Sequence, residues 1–366
     1  MFSSNPLYIE ELNEVISGPL PWSKLRNTKI LITGANGLIA SFFVDCLMYR
    51  NKLYDEEIQA YALCRNREKA ENRFKHYLDN DNFNLIIQDV SLPLNVDIDF
   101  DYMIHAASNV HPAAFATYPV DTIKSNVLGS INLLEYARKT DIKKFMFISS
   151  GEIYGKNESH FNSGLKEDYC GYIDCTNIRS AYPESKRVSE SLCTAYEKQY
   201  AINTVIVRPC YVFGATMTDE SSKADAQFIR CALNNSDIIM KSAGQQLRSY
   251  CYLPDAVSAM FYVLLSDETG GAYNIAAESC TITIREFAEI LSKIADVNIV
   301  FENPDDIEKS GYSPVGNAVL NAENNNFIFM CADPARFGYH KFTASAEEHA
   351  VNAKAYQDWL NSKNIK

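Results

Sequence analysis

Tyr182 and Lys186 have the residue types and spacing of an acid–base pair. They lie four positions apart in the segment YPESK, so on a helix they share one face. A lysine ammonium beside a phenol favours the phenolate and lowers the pKa of the phenol. Such a phenol can take the proton of an alcohol as hydride leaves the same carbon, or return a proton in reverse. The spacing predicts hydride-transfer chemistry.

A glycine-rich turn upstream predicts where the hydride acceptor binds. The segment TGANGLIA follows a predicted strand and opens a predicted helix, with the spacing GxxGxxA. Gly34 permits a tight turn, Gly37 lets the backbone approach a pyrophosphate, and Ala40 keeps the helix close to the sheet. The unpaired N–H groups at the helix start face the phosphates. We therefore expect a dinucleotide to contact Gly34, Asn36, Gly37, Leu38 and Ile39.

The second predicted strand ends in ALCRN, with no acidic residue to bind the ribose hydroxyls of NAD. Arg65 can instead pair with a 2′-phosphate, which favours NADP over NAD. Arg65 as a solvated residue, or stacked on adenine, remains the alternative. Asp89 and Val90 close the third strand, where an adenine contact is expected. The next strand ends in small residues beside the cofactor: Ala106, Ala107 and Ser108.

The elements that must position these residues alternate along the chain. Strands that alternate with helices predict a doubly wound parallel sheet, a Rossmann-type α/β fold, with a smaller C-terminal α/β part. Apolar runs predict strands at 29–33, 58–64, 84–90, 102–105, 144–149 and 204–208. Helical periodicity predicts helices at 38–50, 67–78, 119–140 and 182–200. The strand at 144–149 ends in two serines, at the edge where such sheets bind ligands.

We predict three regions. Residues 1–27 form an N-terminal extension with a short helix at 9–16. Residues 28–209 form the NAD(P)-binding domain, and residues 210–366 mainly form a substrate-binding domain with an interleaved boundary. The last region has predicted helices at 224–234, 255–265 and 285–295, and strands at 238–241, 248–252 and 272–275. The asparagine-rich segment 317–327 reads as a surface loop.

Composition excludes several classes of protein. A chain of 366 residues with 47% hydrophobic residues has ordinary globular composition. A net charge of -12 without a basic run argues against nucleic acid and anionic membranes as partners. The 10 cysteines form no CxxC pair, so we expect reduced thiols, and the six histidines have no metal-ligand spacing. Without a signal peptide or an apolar span, we expect a cytoplasmic protein.

Together these motifs resemble the extended short-chain dehydrogenase/reductase superfamily, in its NAD-dependent epimerase/dehydratase family. The resemblance runs from about residue 28 to 300. It implies that Ser150, Tyr182 and Lys186 form the catalytic set, and that Asn126 is a recurrent asparagine of the fourth helix. Arg208 matches the strand end before the substrate domain. Arg248 in QQLRSY resembles the arginine that contacts substrate phosphates.

Glu152 in SSGEIYG falls where the family's dehydratases and UDP-glucuronate decarboxylases carry a catalytic glutamate. The resemblance implies that it serves as base at C5 of the sugar. Gly151 departs from the dehydratases, which place an acid there. Tyr211 stands where relatives hold the diphosphate with asparagine, which implies either that the sugar donor is bound differently here or that it is not a standard nucleotide diphosphate sugar. The segments around 107–119 and 122–129 look most like those of the decarboxylase group.

The leading hypothesis is an NAD(P)-dependent nucleotide-sugar epimerase, dehydratase or decarboxylase that begins by oxidising C4. Ser108, Ser150, Tyr211 and Arg248 are the expected substrate-binding residues. An NADPH-dependent reductase of a keto-sugar or aldehyde is the first alternative, and a non-catalytic NADP-sensing protein is the second. The resemblance and the apolar sides of the helices at 119–140 and 182–200 predict a homodimer.

Overall fold

The computed structural model describes residues 5–110, 116–156, 164–277 and 280–302, and the backbone of Phe329–Ala332 and His340–Thr343. The asparagine-rich segment at 317–327 lies outside the described residues, as do three of the six histidines, His111, His160 and His349.

A seven-stranded parallel sheet forms the centre of the protein, which confirms the predicted fold class. Its order is β3-β2-β1-β4-β5-β6-β10. The order reverses between β1 and β4, and such a switch point opens a crevice at the carboxyl ends of the strands. The strands are β1 (Lys29–Thr33), β2 (Gln59–Cys64), β3 (Phe83–Ile87), β4 (Tyr102–His105), β5 (Lys144–Ile148), β6 (Thr204–Pro209) and β10 (Ala272–Ile275).

Helices cover the sheet, and one long predicted helix is interrupted. The segment predicted as a single helix at 119–140 contains a π-helical stretch, Lys124–Leu128, and ends at Ala137. Stretches of this kind are frequent near functional sites. The helices are α1 (Pro6–Ser17), α2 (Leu38–Tyr54), α3 (Arg67–Phe74), α4 (Pro119–Ile123), α5 (Gly129–Ala137), α6 (Ala181–Tyr200), α7 (Ala224–Leu233), α8 (Leu253–Leu265) and α9 (Ile284–Ala295).

Both faces of the sheet are packed, which explains the continuous apolar runs of its strands. Successive side chains of β1 point to opposite faces. Ile30 and Ile32 join one core cluster with residues of α1, α2 and α8. Leu31 joins a second cluster with residues of α5 and α6. A strand buried on both sides holds the glycine turn and the helix after it in a fixed position.

The chain after β6 forms smaller sheets that are separate from the central sheet. A three-stranded sheet contains β7 (Tyr211–Phe213), β9 (Leu247–Tyr252) and β11 (Thr281–Thr283). β8 (Ile238–Met240) pairs with β12 (Ile299–Phe301), and Phe329–Ala332 pairs with His340–Thr343. The strand predicted at 272–275 does not join them, because β10 pairs with β6 and returns the chain to the central sheet.

The N-terminal extension packs onto α2. Asn5 caps α1, and the hydroxyl of Tyr8 donates to the buried carboxylate of Asp45. Arg50 forms a buried ion pair with Glu56. The helix predicted at 9–16 is therefore α1, and it is part of the folded core. In the ranges described, no helix combines the length and apolar character needed to cross a bilayer.

Candidate active site

The turn between β1 and α2 requires glycine. Gly34 has φ +63, and a Cβ atom there would lie 2.7 Å from the Cα of Ala107. Gly37 donates its N–H to the carbonyl of Gly34 at 2.9 Å and stands as N-cap of α2 without a side-chain cap. The first N–H groups of α2, including those of Leu38 and Ile39, have no partner within the helix. This backbone fits a pyrophosphate.

The loop after β4 lies against this turn. The hydroxyl of Thr33 accepts from the backbone N–H of Ala106 at 3.2 Å and of Ala107 at 3.1 Å. The hydroxyl of Ser108 is buried and has no hydrogen-bond partner within the described parts of the chain. A buried hydroxyl without a partner is costly, so Ser108 has the capacity to bind a ligand group.

In such folds, the adenosine part of the dinucleotide binds at the ends of two strands. Here these strands are β2 and β3, with Arg65 and Asp89 close to their ends. Arg65 follows β2 and is exposed. Strand β3 ends at Ile87, two residues before Asp89. The Asp89 carboxylate accepts from both the N–H and the hydroxyl of Ser91, each at 2.8 Å. The next residue, Val90, is buried.

Ser150, Tyr182 and Lys186 meet at the carboxyl end of β5. Ser150 and Tyr182 are joined by a side-chain hydrogen bond. The ammonium of Lys186 donates to the carbonyl of Ile148 at 2.7 Å. It also lies 4.7 Å from the ring centroid of Phe147 and 5.9 Å from that of Tyr182. The serine, the phenol and the ammonium therefore form one group whose members come from β5 and α6.

Burial dominates the electrostatics of this group. It raises the pKa of Tyr182 above its usual range, with the Ser150 hydrogen bond opposing the rise and the Glu152 charge adding to it. Burial also lowers the pKa of Lys186 to about 7, against the opposing charges of Glu190 and Cys193. Both groups thus favour their neutral forms more than they would in water.

Glu152 lies in the 3-10 turn Gly151–Tyr154, where its N–H donates to the hydroxyl of Ser150 at 3.2 Å. Burial raises the pKa of this carboxyl, and three cations oppose the rise. In decreasing order of effect, these cations are Arg248 on β9, Arg179 before α6, and Lys223 before α7.

Tyr211 and Arg248 are neighbours on the substrate-side sheet. Strand β7 pairs with β9, and the guanidinium of Arg248 lies 4.5 Å from the ring centroid of Tyr211. Burial raises the pKa of Tyr211, and the charge of Glu152 adds to this rise while that of Arg248 opposes it. The two residues expected at the diphosphate therefore stack on each other beside Glu152.

Sequence reasoning missed Arg179, Lys223 and a buried ion pair between Glu190 and Arg208. Arg208 was identified only as a strand end. The signal for Glu190 is its position four residues after Lys186, which puts both on one face of α6. No comparable signal marks Arg179 or Lys223, because loops and strands distant in sequence bring them to Glu152.

Two further polar residues near the site, His105 and the recurrent Asn126, are structural in this arrangement. His105 is fully buried, its Nδ1 lies 2.9 Å from the hydroxyl oxygen of Thr33, and burial lowers its pKa to about 3. Asn126, in the π-helical stretch, donates its side-chain amide to Ser185 at 2.8 Å. Over the described residues, no group of His, Cys, Asp and Glu side chains is arranged to hold a metal ion.

Comparison with known proteins gives a family match. The model of the NAD dependent epimerase/dehydratase family matches residues 30–276. Among curated proteins, UDP-glucuronic acid decarboxylase 6 of Arabidopsis thaliana is 32% identical over 299 residues, which cover 79% of this chain and 83% of the relative.

Solved structures share the fold at lower identity. The UDP-glucuronic acid 4-epimerase of Bacillus cereus, in complex with UDP-glucuronic acid and NAD, has a TM-score of 0.66 at 20% identity, covering 91% of this chain and 99% of that one. The dTDP-glucose 4,6-dehydratase of Bacillus anthracis, in complex with NAD, also has a TM-score of 0.66 at 20% identity, covering 93% of this chain and 100% of that one.

Proposed function

The chain belongs to the NAD-dependent epimerase/dehydratase family, and we propose that it acts on a nucleotide-linked sugar by first oxidising its C4 hydroxyl. The observation that carries this proposal is the Ser150–Tyr182–Lys186 group at the carboxyl end of β5, on the same edge of the sheet as the glycine turn after β1. When bound, the dinucleotide supplies a nicotinamide that accepts hydride from the sugar. The residues that would hold it are Gly34, Gly37 and the N–H groups at the start of α2.

The chain's own residues move the proton. Ser150 holds the C4 oxygen through its hydroxyl, and Tyr182 takes the hydroxyl proton as the ketone forms. Lys186 would hold the nicotinamide ribose, and its ammonium stabilises the phenolate form in which Tyr182 accepts the proton and becomes the phenol. Burial of Tyr182 and Lys186 keeps water away from the developing charge, which strengthens each of these interactions.

Decarboxylation of a uronic acid is the outcome that the substrate-side charges favour. A ketone at C4 makes the carboxylate on C5 a β-keto acid. The bond from C5 to the carboxyl carbon then breaks, carbon dioxide leaves, and the electron pair forms the enolate. Glu152, whose pKa is raised by burial, supplies the proton to C5. Arg248, Arg179 and Lys223 provide the positive charge that an anionic sugar nucleotide needs. The decarboxylase relative supports the same reaction.

We assign binding of the sugar nucleotide to the region after β6, where β7 and β9 carry Tyr211 and Arg248 and where Lys223 precedes α7. A panel of nucleotide sugars that includes UDP-glucuronic acid tests the reaction by mass spectrometry and chromatography. Loss of carbon dioxide is the expected result. A new isomer of unchanged mass would replace decarboxylation by epimerisation, and loss of water would replace it by dehydration. Net consumption of NADPH would identify a reductase.

NADP is the form of the cofactor that we propose, with Arg65 as the residue that selects it. No carboxylate closes β2, and the Asn66 side chain is already used to cap α3. The guanidinium of Arg65 is exposed and suits a 2′-phosphate. Titration of the protein with NADPH and NADH tests this proposal. Arg65→Ala should weaken NADPH binding alone, whereas Lys69→Ala, at an exposed residue paired with Glu220, serves as the matched control. Equal affinities for both dinucleotides would contradict it.

An apolar surface on α4 and α6 supports the proposed homodimer. Val120 and Ile123 on α4 and Val188 on α6 are large apolar side chains with 60%, 43% and 45% of their surface exposed. Sedimentation of the wild-type protein at micromolar concentration should give a dimer, and Val120→Asp should shift it to monomer. Leu233→Asp changes an equally apolar residue that is 77% exposed on α7, and it should leave the dimer intact.

A further inference from the structure

A buried ion pair between Glu190 and Arg208 lies one helical turn after Lys186 along α6. Glu190 is four residues after Lys186 on the same face of α6. Its carboxylate accepts from Arg208 at both oxygens, at 3.0 and 2.7 Å. The hydroxyl of Ser149, the residue before Ser150, donates to the same carboxylate at 2.5 Å. The pair therefore connects β6 with the end of β5 and with α6, the two elements that position the catalytic group.

Arg208 connects this pair to the rest of the sheet edge. Its guanidinium also donates to the hydroxyl of Tyr154 at 3.0 Å and to the carbonyl of Glu167 at 2.7 Å. The Tyr154 hydroxyl donates to Asn274 of β10 at 2.6 Å. Arg208 thus donates four hydrogen bonds, two of them to Glu190, and together with Ser149 it fixes the Glu190 carboxylate in place.

Burial of such a pair is costly, because two charges lose their water. We therefore expect the buried pair of Arg208 and Glu190 to have a role other than stabilising the fold. The groups around Lys186 come from three elements. His105 on β4 is neutral, and β5 presents only the Ile148 carbonyl and the Phe147 ring. On its own helix, the charges that act on Lys186 are those of Glu190 and Cys193, and the ring of Tyr182 lies beside it.

We propose that Glu190 is a positioning residue that keeps Lys186 in its ammonium form, and that Arg208 and Ser149 hold the Glu190 carboxylate for this purpose. The negative charge one helical turn away offsets part of the burial that disfavours the ammonium. Of the charges that act on Lys186, that of Glu190 has the largest effect in this direction. The consequence for catalysis rests on the proposed function, whereas the effect on Lys186 does not.

The direct test is the titration of Lys186 by NMR of protein labelled at the lysine Cε, with the signal assigned through Lys186→Met. In Glu190→Gln, which keeps the shape and loses the charge, the Lys186 pKa should fall by about one pH unit. Glu197→Gln is the matched control, because Glu197 lies two turns further along α6 and accepts from Thr204 at 3.0 Å. It should leave the Lys186 titration unchanged.

The double variant Glu190→Gln/Arg208→Gln distinguishes an effect on Lys186 from a purely structural role of the ion pair, because it removes both charges and retains amide hydrogen bonds. We expect it to recover thermal stability relative to Glu190→Gln and to keep the lowered Lys186 pKa. A titration like the wild type in either folded variant would overturn the proposal, as would failure of both variants to fold, which would make the pair a structural brace.

A second measurement separates this proposal from the proposed function. With an active substrate, the pKa of the basic limb of the pH–rate profile should fall in Glu190→Gln by as much as the Lys186 pKa measured by NMR. Should the NMR titration shift in Glu190→Gln while the wild type acts on no nucleotide sugar, the positioning role stands and the proposed function fails. A pH profile that moves without any NMR shift would overturn the positioning role.

Discussion

The two sides of the site are built in opposite ways. On the cofactor side, Tyr182 and Lys186 are only 6% and 2% exposed, and the ammonium is held by a backbone carbonyl of β5. On the side proposed for the substrate, Glu152 and Arg248 are partly exposed, and their charges interact from a short turn and a small sheet. One side is a fixed part of the core, and the other is assembled from separate elements.

This difference separates two tasks. Under the proposed function, the buried side performs the C4 oxidation with which every outcome begins. The charged side would then determine what happens at C5 and which substrate binds. Variants on the buried side should therefore abolish turnover, whereas variants on the charged side should alter its outcome or its substrate dependence.

Tyr182→Phe should have the largest effect. It removes the hydroxyl that takes the alcohol proton, and loss of general acid–base catalysis costs about 10³-fold in kcat. Burial of Phe in place of Tyr keeps the packing, so dinucleotide binding should be retained. Tyr172→Phe, at a tyrosine 57% exposed, is the control and should retain full activity. Undiminished turnover of Tyr182→Phe would refute the proposed mechanism.

Glu152→Gln should come next and should stop the reaction part-way. Without a carboxyl to protonate C5, turnover should fall about 10²-fold, while C4 oxidation still proceeds. Absorbance of the reduced dinucleotide should therefore accumulate with substrate. Glu184→Gln, which removes a carboxylate paired with Arg187 at 3.2 Å, provides the control. If C4 oxidation and product formation fell by the same factor, Glu152 would instead belong with the residues that act in C4 oxidation.

Gly34→Ala should weaken the cofactor side without touching any catalytic side chain. The added Cβ meets backbone at 2.7 Å and the residue must keep a positive φ. Strain of about 2 kcal/mol corresponds to about a thirtyfold higher Kd for the dinucleotide. Calorimetric titration measures it. Gly18→Ala, at φ -57, should bind the dinucleotide like the wild type.

Arg248→Met should have the smallest effect of the four. It keeps the apolar contact with the Tyr211 ring and loses the charge, so KM should rise about tenfold, an energy of about 1.4 kcal/mol, with kcat changed less. Arg285→Met, on exposed α9, is the matched control. A fall in kcat with unchanged KM would instead assign Arg248 to the chemistry at C5.

Much of the fold could be predicted because the strands of the central sheet and the helices between them are each determined by residues close together in the chain. The predicted strands and helices up to Pro209 correspond to β1–β6 and α2–α6, since the strands are apolar runs and most of the helices have a clear period. The exception is α3, which is polar apart from Ala70 and Phe74. The π-helical stretch was not predicted, because its residues continue the helical pattern. The strand at 272–275 was predicted, but its place beside β6 was not, since pairing partners are not encoded by period.

The sequence by itself determined the glycine turn, the fold class and the spacing of Tyr182 and Lys186, because these depend on residues close together in the chain. Only the tertiary structure decided that Arg248, Arg179 and Lys223 surround Glu152, and that Arg208 and Ser149 bind Glu190. These groups come from distant segments, and no local pattern records which strand ends meet. The burial that raises the pKa of Tyr182 and lowers that of Lys186 likewise arises only when the helix packs against the sheet.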